Sequence, residues 1–129
     1  MKVVIADNSE AVRERLSSMI SEVPGVEISG QAKDGQEAIF LIEEIKPDAV
    51  VLDIRMPKGS SIDVLKYIRS SLHLQPNPFD IVITNYHSAH YRDKCLAVGG
   101  ADYFFDKSTE FEEVIYVLRA MTNSSQTVE

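Results

Sequence analysis

The chain has 129 residues, which is the length of a single domain and enough to bury a core without a disulfide or a structural metal. Thirteen basic and twenty acidic residues give a net charge of −7, which argues against direct binding to nucleic acid because phosphate backbones require clustered Lys and Arg. The sequence contains no signal-peptide core, no apolar run of about 18 residues and only one cysteine. We therefore expect a cytoplasmic protein with no membrane contact.

Five short apolar runs alternate along the chain with stretches of helical periodicity. Four runs are continuous, as expected of strands buried on both faces of a parallel sheet, and the second alternates, which is typical of an edge strand. The runs occupy residues 3–6, 26–32, 49–52, 81–83 and 103–105. Apolar residues three or four positions apart predict helices between the runs, as with Leu16 and Ile20, Ala38 and Ile42, and Val114 and Leu118.

Cap and stop residues agree with these elements. Asp34 with Glu37, and Thr109 with Glu112, have the spacing of a capping box at a helix start. Pro47 follows the second helical segment and predicts its end. Among the aromatic residues, we expect Tyr103, Phe105 and Phe111 in the core and Tyr116 at the surface.

The succession of five β-α units predicts an α/β fold, in which one parallel sheet is covered on both sides by helices. We expect this domain to cover residues 1–122, and the polar residues 123–129 to form a C-terminal tail or the beginning of a linker. If the strands follow the common order 2-1-3-4-5, the order reverses between the first and the third strand. Ligands of open α/β sheets bind at that point, outside the carboxyl ends of the strands.

Polar residues lie just beyond four of the five predicted strands. Asp7 follows the first strand, Asp53 the third and Thr84 the fourth, and Lys107 lies two residues after the fifth. Because the carboxyl ends of parallel strands lie at one edge of a sheet, we expect all four side chains at one crevice. Any one of these residues alone is more often a helix cap, but the four together are a much stronger signal.

This set of side chains predicts a reaction. Two neighbouring carboxylates repel each other and need a cation, and oxygen ligands suit Mg²⁺, which binds through one or two carboxylates and keeps several waters. A lysine beside them neutralises an incoming phosphoryl oxygen, and a threonine hydroxyl hydrogen-bonds another. Since aspartate is also a nucleophile that forms aspartyl phosphate, the set predicts phosphoryl transfer to a carboxylate.

Over residues 2–122 the sequence resembles the receiver domain of two-component response regulators. The matching motifs are VIADN at residues 4–8, VLDIRMP at 51–57, IT at 83–84 and GADYFFDK at 100–107. The spacing of the four polar residues named above is also that of the family. The resemblance implies a flavodoxin-like (CheY-like) three-layer sandwich, with a five-stranded parallel sheet in the order 2-1-3-4-5.

The resemblance also implies roles in phosphorylation and switching. Asp53 would be the phosphoacceptor, and Lys107 would pair with the phosphoryl oxygens. Thr84 would move toward the phosphoryl group, and Phe104 would be the switch aromatic that swings inward as the threonine moves. Such a site is a small two-state element biased by a local change in charge.

A divalent cation, Mg²⁺ or Mn²⁺, is the cofactor that the resemblance implies. Its ligands would be the side chains of Asp7, Asn8 and Asp53 and the backbone carbonyl of Arg55. The family usually has two adjacent acids after the first strand, but here the second is Asn8, which offers a carbonyl oxygen without a charge. We therefore expect weaker Mg²⁺ binding than the family pattern gives.

Two further departures affect the loops around the site. Ser108 stands where the family usually has proline after the lysine, and Asn85 stands after Thr84 where a small residue is usual. Arg55 and Tyr86 occupy the two positions that tune phosphoryl lifetime in the family.

Partners are implied by the same resemblance. A histidine kinase or a phosphotransfer protein would donate the phosphoryl group. A downstream protein, or a second copy in a homodimer, would contact the surface of the fourth predicted helix, the fifth strand and the fifth predicted helix. We expect a signalling protein that is not an enzyme beyond its own phosphoryl transfer and dephosphorylation.

Two alternatives stay open at this point. Asn8, Asn85 and Ser108 also fit a degenerate receiver that acts as a phosphorylation-independent interaction module. An enzyme of the same architecture is the other alternative. A flavin protein would need a phosphate-binding loop after the first strand, where the acidic residues 7–10 contain no glycine. A phosphatase with an aspartate nucleophile would usually have a second acid at the position of Arg55.

Overall fold

The strands form one parallel sheet. The computed structural model describes residues 1–53, 61–71, 74, 77–84, 93, 101–107 and 110–126. The strand order of the sheet is β2-β1-β3-β4-β5, which confirms the predicted order. The strands are β1 (Lys2–Ala6), β2 (Glu27–Ala32), β3 (Ala49–Asp53), β4 (Phe79–Thr84) and β5 (Tyr103–Asp106). The order reverses between β1 and β3, so a crevice opens between their carboxyl ends.

Four helices lie in the described part of the chain: α1 (Glu10–Ile20), α2 (Gly35–Ile45), α3 (Ser61–Ser70) and α4 (Glu113–Gln126). The last of these corresponds to the fifth helix predicted from the sequence. Of the fourth predicted helix only Asp93 is described, and it is helical. Helix α4 continues past residue 122, where we placed the end of the domain; that boundary stays a prediction.

Two hydrophobic clusters cover the two faces of the sheet and give the three-layer sandwich. Helices α2 and α3 pack on one face, mainly through Ala38, Ile42, Leu65 and Ile68. Helices α1 and α4 pack on the other, mainly through Leu16, Ile20, Val114 and Leu118. All four residues from Val3 to Ala6 are fully buried, as are Ala49 to Leu52. Burial on both faces explains why these runs are continuous in the sequence.

The predicted cap of α2 is present with one shift. The Glu37 backbone N–H donates to Asp34 Oδ1 at 2.8 Å, as in a capping box. The Glu37 carboxylate in turn accepts from the N–H of Lys33, at 3.0 Å, one residue before the expected donor. Helix α2 ends before Pro47, as predicted. Thr109, in the other predicted pair, lies outside the described residues.

One expectation about the core is wrong. Tyr103 was expected to be buried, but it is 38% exposed, because it begins the edge strand β5 and has no strand beyond it. Its ring stacks on Phe105, with the centroids 5.7 Å apart, and Phe105 is itself only partly buried. Phe111 is buried and Tyr116 is 58% exposed, and both of these expectations are confirmed.

Over the residues that the structure describes, no helix is both long enough and apolar enough to span a membrane.

A buried acid lies at the opposite end of β4 from the crevice. Asp80 is 1% exposed, and its carboxyl Oδ1 has no hydrogen-bond partner. Its backbone N–H donates to Asp102 Oδ2 at 2.8 Å, and its carbonyl accepts from the Asp102 N–H at 2.9 Å, which ties the start of β4 to the residue before β5. Burial, with a smaller contribution from the charge of Asp102, raises the pKa of Asp80 to about 8, against the opposing effect of Arg69.

We expect this acid to make the protein less stable as the pH rises. The folded state keeps the Asp80 proton up to a pKa of about 8, whereas the unfolded chain loses it above its ordinary value of 3.8. Between those values the unfolded state binds fewer protons, so the free energy of unfolding falls, by at most about 1.4 kcal/mol per pH unit from this group. Asp80→Asn should flatten that fall, as measured by urea unfolding at several pH values from 5 to 8.

The control is Glu44→Gln, which removes one acid from the exposed face of α2. An equal pH slope for wild type and Asp80→Asn would contradict the prediction.

Candidate functional site

The carboxyl ends of β1, β3, β4 and β5 bring the predicted polar residues to one edge of the sheet. Asp7 directly follows β1, Asp53 ends β3, Thr84 ends β4 and Lys107 directly follows β5. Both acids are buried, since Asp53 is 8% exposed and Asp7 only 1%.

The ammonium of Lys107 lies between the two carboxylates. Its Nζ is 2.7 Å from Asp7 Oδ2 and 3.3 Å from Asp53 Oδ2. The Lys107 side chain is itself only 11% exposed. Since like charges in a region of low dielectric repel strongly, the shared ammonium offsets the repulsion between the two carboxylates.

Asp7 is held at its backbone and at one carboxylate oxygen. Its N–H donates to Ala32 O at 3.0 Å, which continues the β1–β2 ladder by one residue. Its Oδ1 accepts from the Ser9 backbone N–H at 2.8 Å. Ser9 is also the N-cap of α1, with its hydroxyl accepting from Val12 N–H. The carboxylate of Asp7 is therefore fixed by the start of α1 and directs Oδ2 toward the lysine.

Lys107 is placed by the end of β5. Its backbone N–H donates to Thr84 O at 2.8 Å, one position beyond the paired residues Thr84 and Asp106. Asp106 and Glu110 close the turn that follows: the Asp106 N–H donates to Glu110 Oε1 at 3.0 Å, and the Glu110 N–H donates to Asp106 O at 2.8 Å. The backbone at Lys107 is therefore held by β4 on one side and by the contacts between Asp106 and Glu110 on the other.

The remaining predicted residues lie close by in the sheet or just after it. Thr84 is buried, with 3% of its surface exposed. Phe104 is partly buried, lies opposite Val82 in the register of β4 and β5, and packs against the cluster on the α2 and α3 face. Asn8, directly after Asp7, is exposed. Arg55, Asn85, Tyr86 and Ser108 lie outside the described residues.

The described oxygen atoms fit a divalent cation of the Mg²⁺ type. Asp7 and Asp53 direct one carboxylate oxygen each to the same positive charge, and the exposed Asn8 amide is adjacent in sequence. No group of three His, Cys, Asp or Glu side chains with metal-binding geometry occurs among the residues described. Two carboxylates with waters and carbonyl oxygens are a ligand set that Mg²⁺ accepts, whereas Zn²⁺ prefers nitrogen and sulfur.

Two residues at the site were missed by sequence reasoning. Arg13 on α1 donates from Nη1 to the backbone carbonyl of Asp7 at 2.6 Å. Glu110 precedes the last helix, which begins at Glu113, and accepts from the Asp106 N–H at the end of β5. Neither contact has a sequence signal beyond spacing, because each depends on where a loop returns to the sheet.

A cleft of about 450 Å³ adjoins Lys107 between α1 and α4. Arg15 lies over the ring of Phe111 at 4.4 Å to its centroid, and the two side chains form part of the cleft wall. The exposed Tyr116 lies at the same cleft.

Comparison with known proteins identifies the family to which this chain belongs. The family model described as the response regulator receiver domain matches residues 3–119. The chain belongs to this family. The receiver domain is similar over 93% of its length to an uncharacterized transcriptional regulatory protein of Bacillus subtilis, YxjL, at 32% identity over 120 residues. It is 29% identical over 119 residues to the response regulator GacA of Pseudomonas aeruginosa.

Solved receiver structures share the fold. A DNA-binding response regulator of the LuxR family from Staphylococcus aureus superposes with a TM-score of 0.83 at 29% identity, covering 92% of this chain and 96% of that one. The response regulator domain of Thermotoga maritima CheB gives a TM-score of 0.77 at 29% identity, covering 100% and 98%. The predicted CheY-like fold of a two-component receiver is thereby confirmed.

The receiver spans about half the length of the curated relatives it matches, 53% of the Bacillus subtilis protein and 54% of GacA. The similarity therefore concerns the receiver part of those proteins.

We expect Lys107→Ala to destabilise the metal-free protein by about 1–3 kcal/mol, because it leaves two buried carboxylates without their shared cation. Millimolar Mg²⁺ should restore more stability to this variant than it adds to the wild type, since a bound cation replaces the missing charge. Thermal unfolding with and without Mg²⁺ measures both effects. Lys66→Ala, on the exposed face of α3, is the control, and an equal Mg²⁺ response in Lys107→Ala and wild type would contradict the shared-cation arrangement.

Proposed function

We propose that this receiver domain is a phosphorylation switch in which Asp53 accepts a phosphoryl group, in the presence of a divalent cation, from a sensor histidine kinase or a phosphotransfer protein. The observation that carries the proposal is the position of the Lys107 ammonium between Asp7 and Asp53 at the carboxyl edge of the sheet. This arrangement places a carboxylate nucleophile in the crevice with a positive charge 3.3 Å from it.

The proposed step is an in-line displacement at phosphorus. A carboxylate oxygen of Asp53 forms the new P–O bond, and the bond from phosphorus to the donor, such as the imidazole nitrogen of a phosphohistidine, breaks with its electron pair on the donor. Lys107 neutralises charge on the transferred oxygens, and its backbone tie to Thr84 keeps it in place as that charge arrives. The product is an acyl phosphate on Asp53, and attack by water on phosphorus breaks the bond to Asp53, which releases inorganic phosphate and returns the carboxylate.

Asp7, Asn8 and Asp53 would hold the cation, with the carbonyl of Arg55 as the further ligand that the family resemblance implies. Mg²⁺ or Mn²⁺ supplies positive charge to the oxygens of the phosphoryl group when it is bound. Oδ1 of Asp7 accepts from the Ser9 N–H, and Oδ2 faces Lys107 at 2.7 Å, so Oδ2 is the oxygen on the side of the proposed cation site. The Asn8 amide replaces an acid, so the site attracts a cation less strongly than one with an additional carboxylate would.

The switch would connect the crevice to β5. Thr84 and Phe104 lie on adjacent strands, and Phe104 is only partly buried against the α2 and α3 face. We propose that the Thr84 hydroxyl moves toward the phosphoryl group and that Phe104 follows inward. A downstream protein, or a second copy in a homodimer, would read this change on the surface of the fourth predicted helix, β5 and α4.

For the output of the whole protein, the support comes from its longer relatives. Similar receivers occur in transcriptional regulatory proteins and in protein-glutamate methylesterases, each about two or three times longer than the matched segment. We propose no catalysis for the receiver itself beyond its own phosphoryl transfer and dephosphorylation. Nor do we propose nucleic-acid binding by it, given the net charge of −7. A cytoplasmic location, where a histidine kinase would act on it, is part of the same proposal.

A second candidate function is a receiver that has lost its response to phosphoryl donors and acts as a constitutive interaction module. Asn8 is the observation that favours it, because the site then holds only two carboxylates and Lys107 already neutralises part of their charge.

Incubation with Mg²⁺ and acetyl phosphate, followed by measurement of the intact mass, tests the switch. We expect the wild type to gain the mass of one phosphoryl group and Asp53→Asn to gain none. Asp48→Asn is a matched control, because it changes an exposed aspartate elsewhere in the chain to the same residue. If wild type and Asp53→Asn gain the same mass, Asp53 is not the acceptor.

Rapid hydrolysis would hide the product, so the stable beryllium fluoride mimic of the phosphoryl group is the second arm. We expect it to shift the amide resonances of Thr84 and β5 in the wild type. No change in mass together with no shift would support the constitutive module.

A further inference from the structure

The turn between β1 and α1 carries Asp7 and Asn8. The N–H of Asp7 makes the hydrogen bond that continues the sheet, to Ala32 O. After that point the chain leaves the sheet, and the carbonyl of Asp7 is directed to α1, where Arg13 donates to it from Nη1 at 2.6 Å. A short hydrogen bond from a charged donor is about twice as strong as one between neutral groups.

The geometry of α1 brings Arg13 to this carbonyl. Ser9 caps the helix, and the Arg13 N–H donates to Ser9 O at 3.0 Å, which closes the first turn. Side chains of helical residues lean toward the N-terminus of the helix, so the Arg13 guanidinium returns over this turn to the end of β1. Arg13 is partly buried there.

Three hydrogen bonds then fix Asp7. Ala32 accepts from its N–H, Arg13 donates to its carbonyl, and the Ser9 N–H donates to its Oδ1. The carboxylate Oδ2 is left to face Lys107 at 2.7 Å. The plane of the peptide bond between Asp7 and Asn8 is set by the Arg13 contact, and with it the direction in which Asn8 begins.

We propose that Arg13 is a positioning residue for the cation site. By holding the carbonyl of Asp7, it keeps Oδ2 of Asp7 directed at the space shared with Asp53 and Lys107. The inference rests on the proposed function, because it assigns Arg13 a role in binding the divalent cation. Arg13 reaches the cation only through Asp7.

The charge of Arg13 gives the proposal a test of sign. A guanidinium beside an acidic site repels a divalent cation, so its removal through charge alone would tighten Mg²⁺ binding. Its removal as a positioning group would loosen Asp7 and weaken Mg²⁺ binding. Losses of about 10-fold to 100-fold are typical when a group that orients a metal ligand is removed. The two effects therefore have opposite signs in one measurement.

The experiment measures the Mg²⁺ dissociation constant of the unphosphorylated full chain by isothermal titration calorimetry. We expect Arg13→Ala to raise the Kd about tenfold. The matched control is Arg15→Ala, which removes the same charge from the same helix, where the guanidinium lies over Phe111 and not on Asp7. Arg15→Ala should leave the Kd unchanged or lower it slightly.

A second readout needs no metal. Hydrogen exchange of the Ser9 backbone N–H reports its bond to Asp7 Oδ1, and we expect this exchange to be faster in Arg13→Ala than in Arg15→Ala. Circular dichroism melting of both variants checks that they are folded. Should Arg13→Ala fail to fold, Arg13→Met keeps an unbranched side chain of similar length but has neither the charge nor a hydrogen-bond donor, so the same opposite signs apply.

The outcomes separate this inference from the proposed function. A Kd for Arg13→Ala equal to or below that of a wild type that binds Mg²⁺ would overturn the positioning role alone. The absence of saturable Mg²⁺ binding in the wild type would overturn the proposed cation site, and the positioning role with it. A raised Kd in both arginine variants would show that a general effect, such as lost stability of α1, is the cause, and would also overturn it.

Discussion

The ammonium of Lys107 offsets the repulsion between two carboxylates at the carboxyl edge of this sheet, because it lies within 3.3 Å of both in a buried crevice. The rest of the architecture places those three groups. Asp7 and Asp53 follow neighbouring central strands, and Lys107 comes from the edge strand β5, two strands away from β3. A long side chain can cover that distance, whereas a second short acid or amide could not.

The same electrostatic constraint explains why hydrogen bonds hold the loops around the site. Asp7 is tied to β2, to the cap of α1 and to Arg13, and Lys107 is tied to β4 and held by the turn that Glu110 closes. Charged groups that lie close together and must also bind an incoming group need fixed positions, because electrostatic stabilisation depends on groups that are already oriented.

Asn8 changes the balance of this site without changing its frame. The amide is exposed and follows a carboxylate that is almost completely buried, so the loss of a charge falls on the solvent side of the crevice. Lys107 then neutralises a larger share of the negative charge present. The proposed weaker binding of a divalent cation rests on this difference in charge.

The sequence by itself determined the α/β class, because strands buried on both faces leave continuous apolar runs and helices leave a period of 3.6, and both patterns are local. The strand order 2-1-3-4-5 was implied by the resemblance to receiver domains and is confirmed by the structure. The sequence also determined that Asp7, Asp53, Thr84 and Lys107 meet, since strand ends share one edge of a parallel sheet. Only the tertiary structure decided that Lys107 bridges both acids, that Arg13 and Glu110 hold the turns, and that Tyr103 is exposed. These facts depend on distances between segments far apart in the chain and on which strand lies at the edge, and no local pattern encodes either.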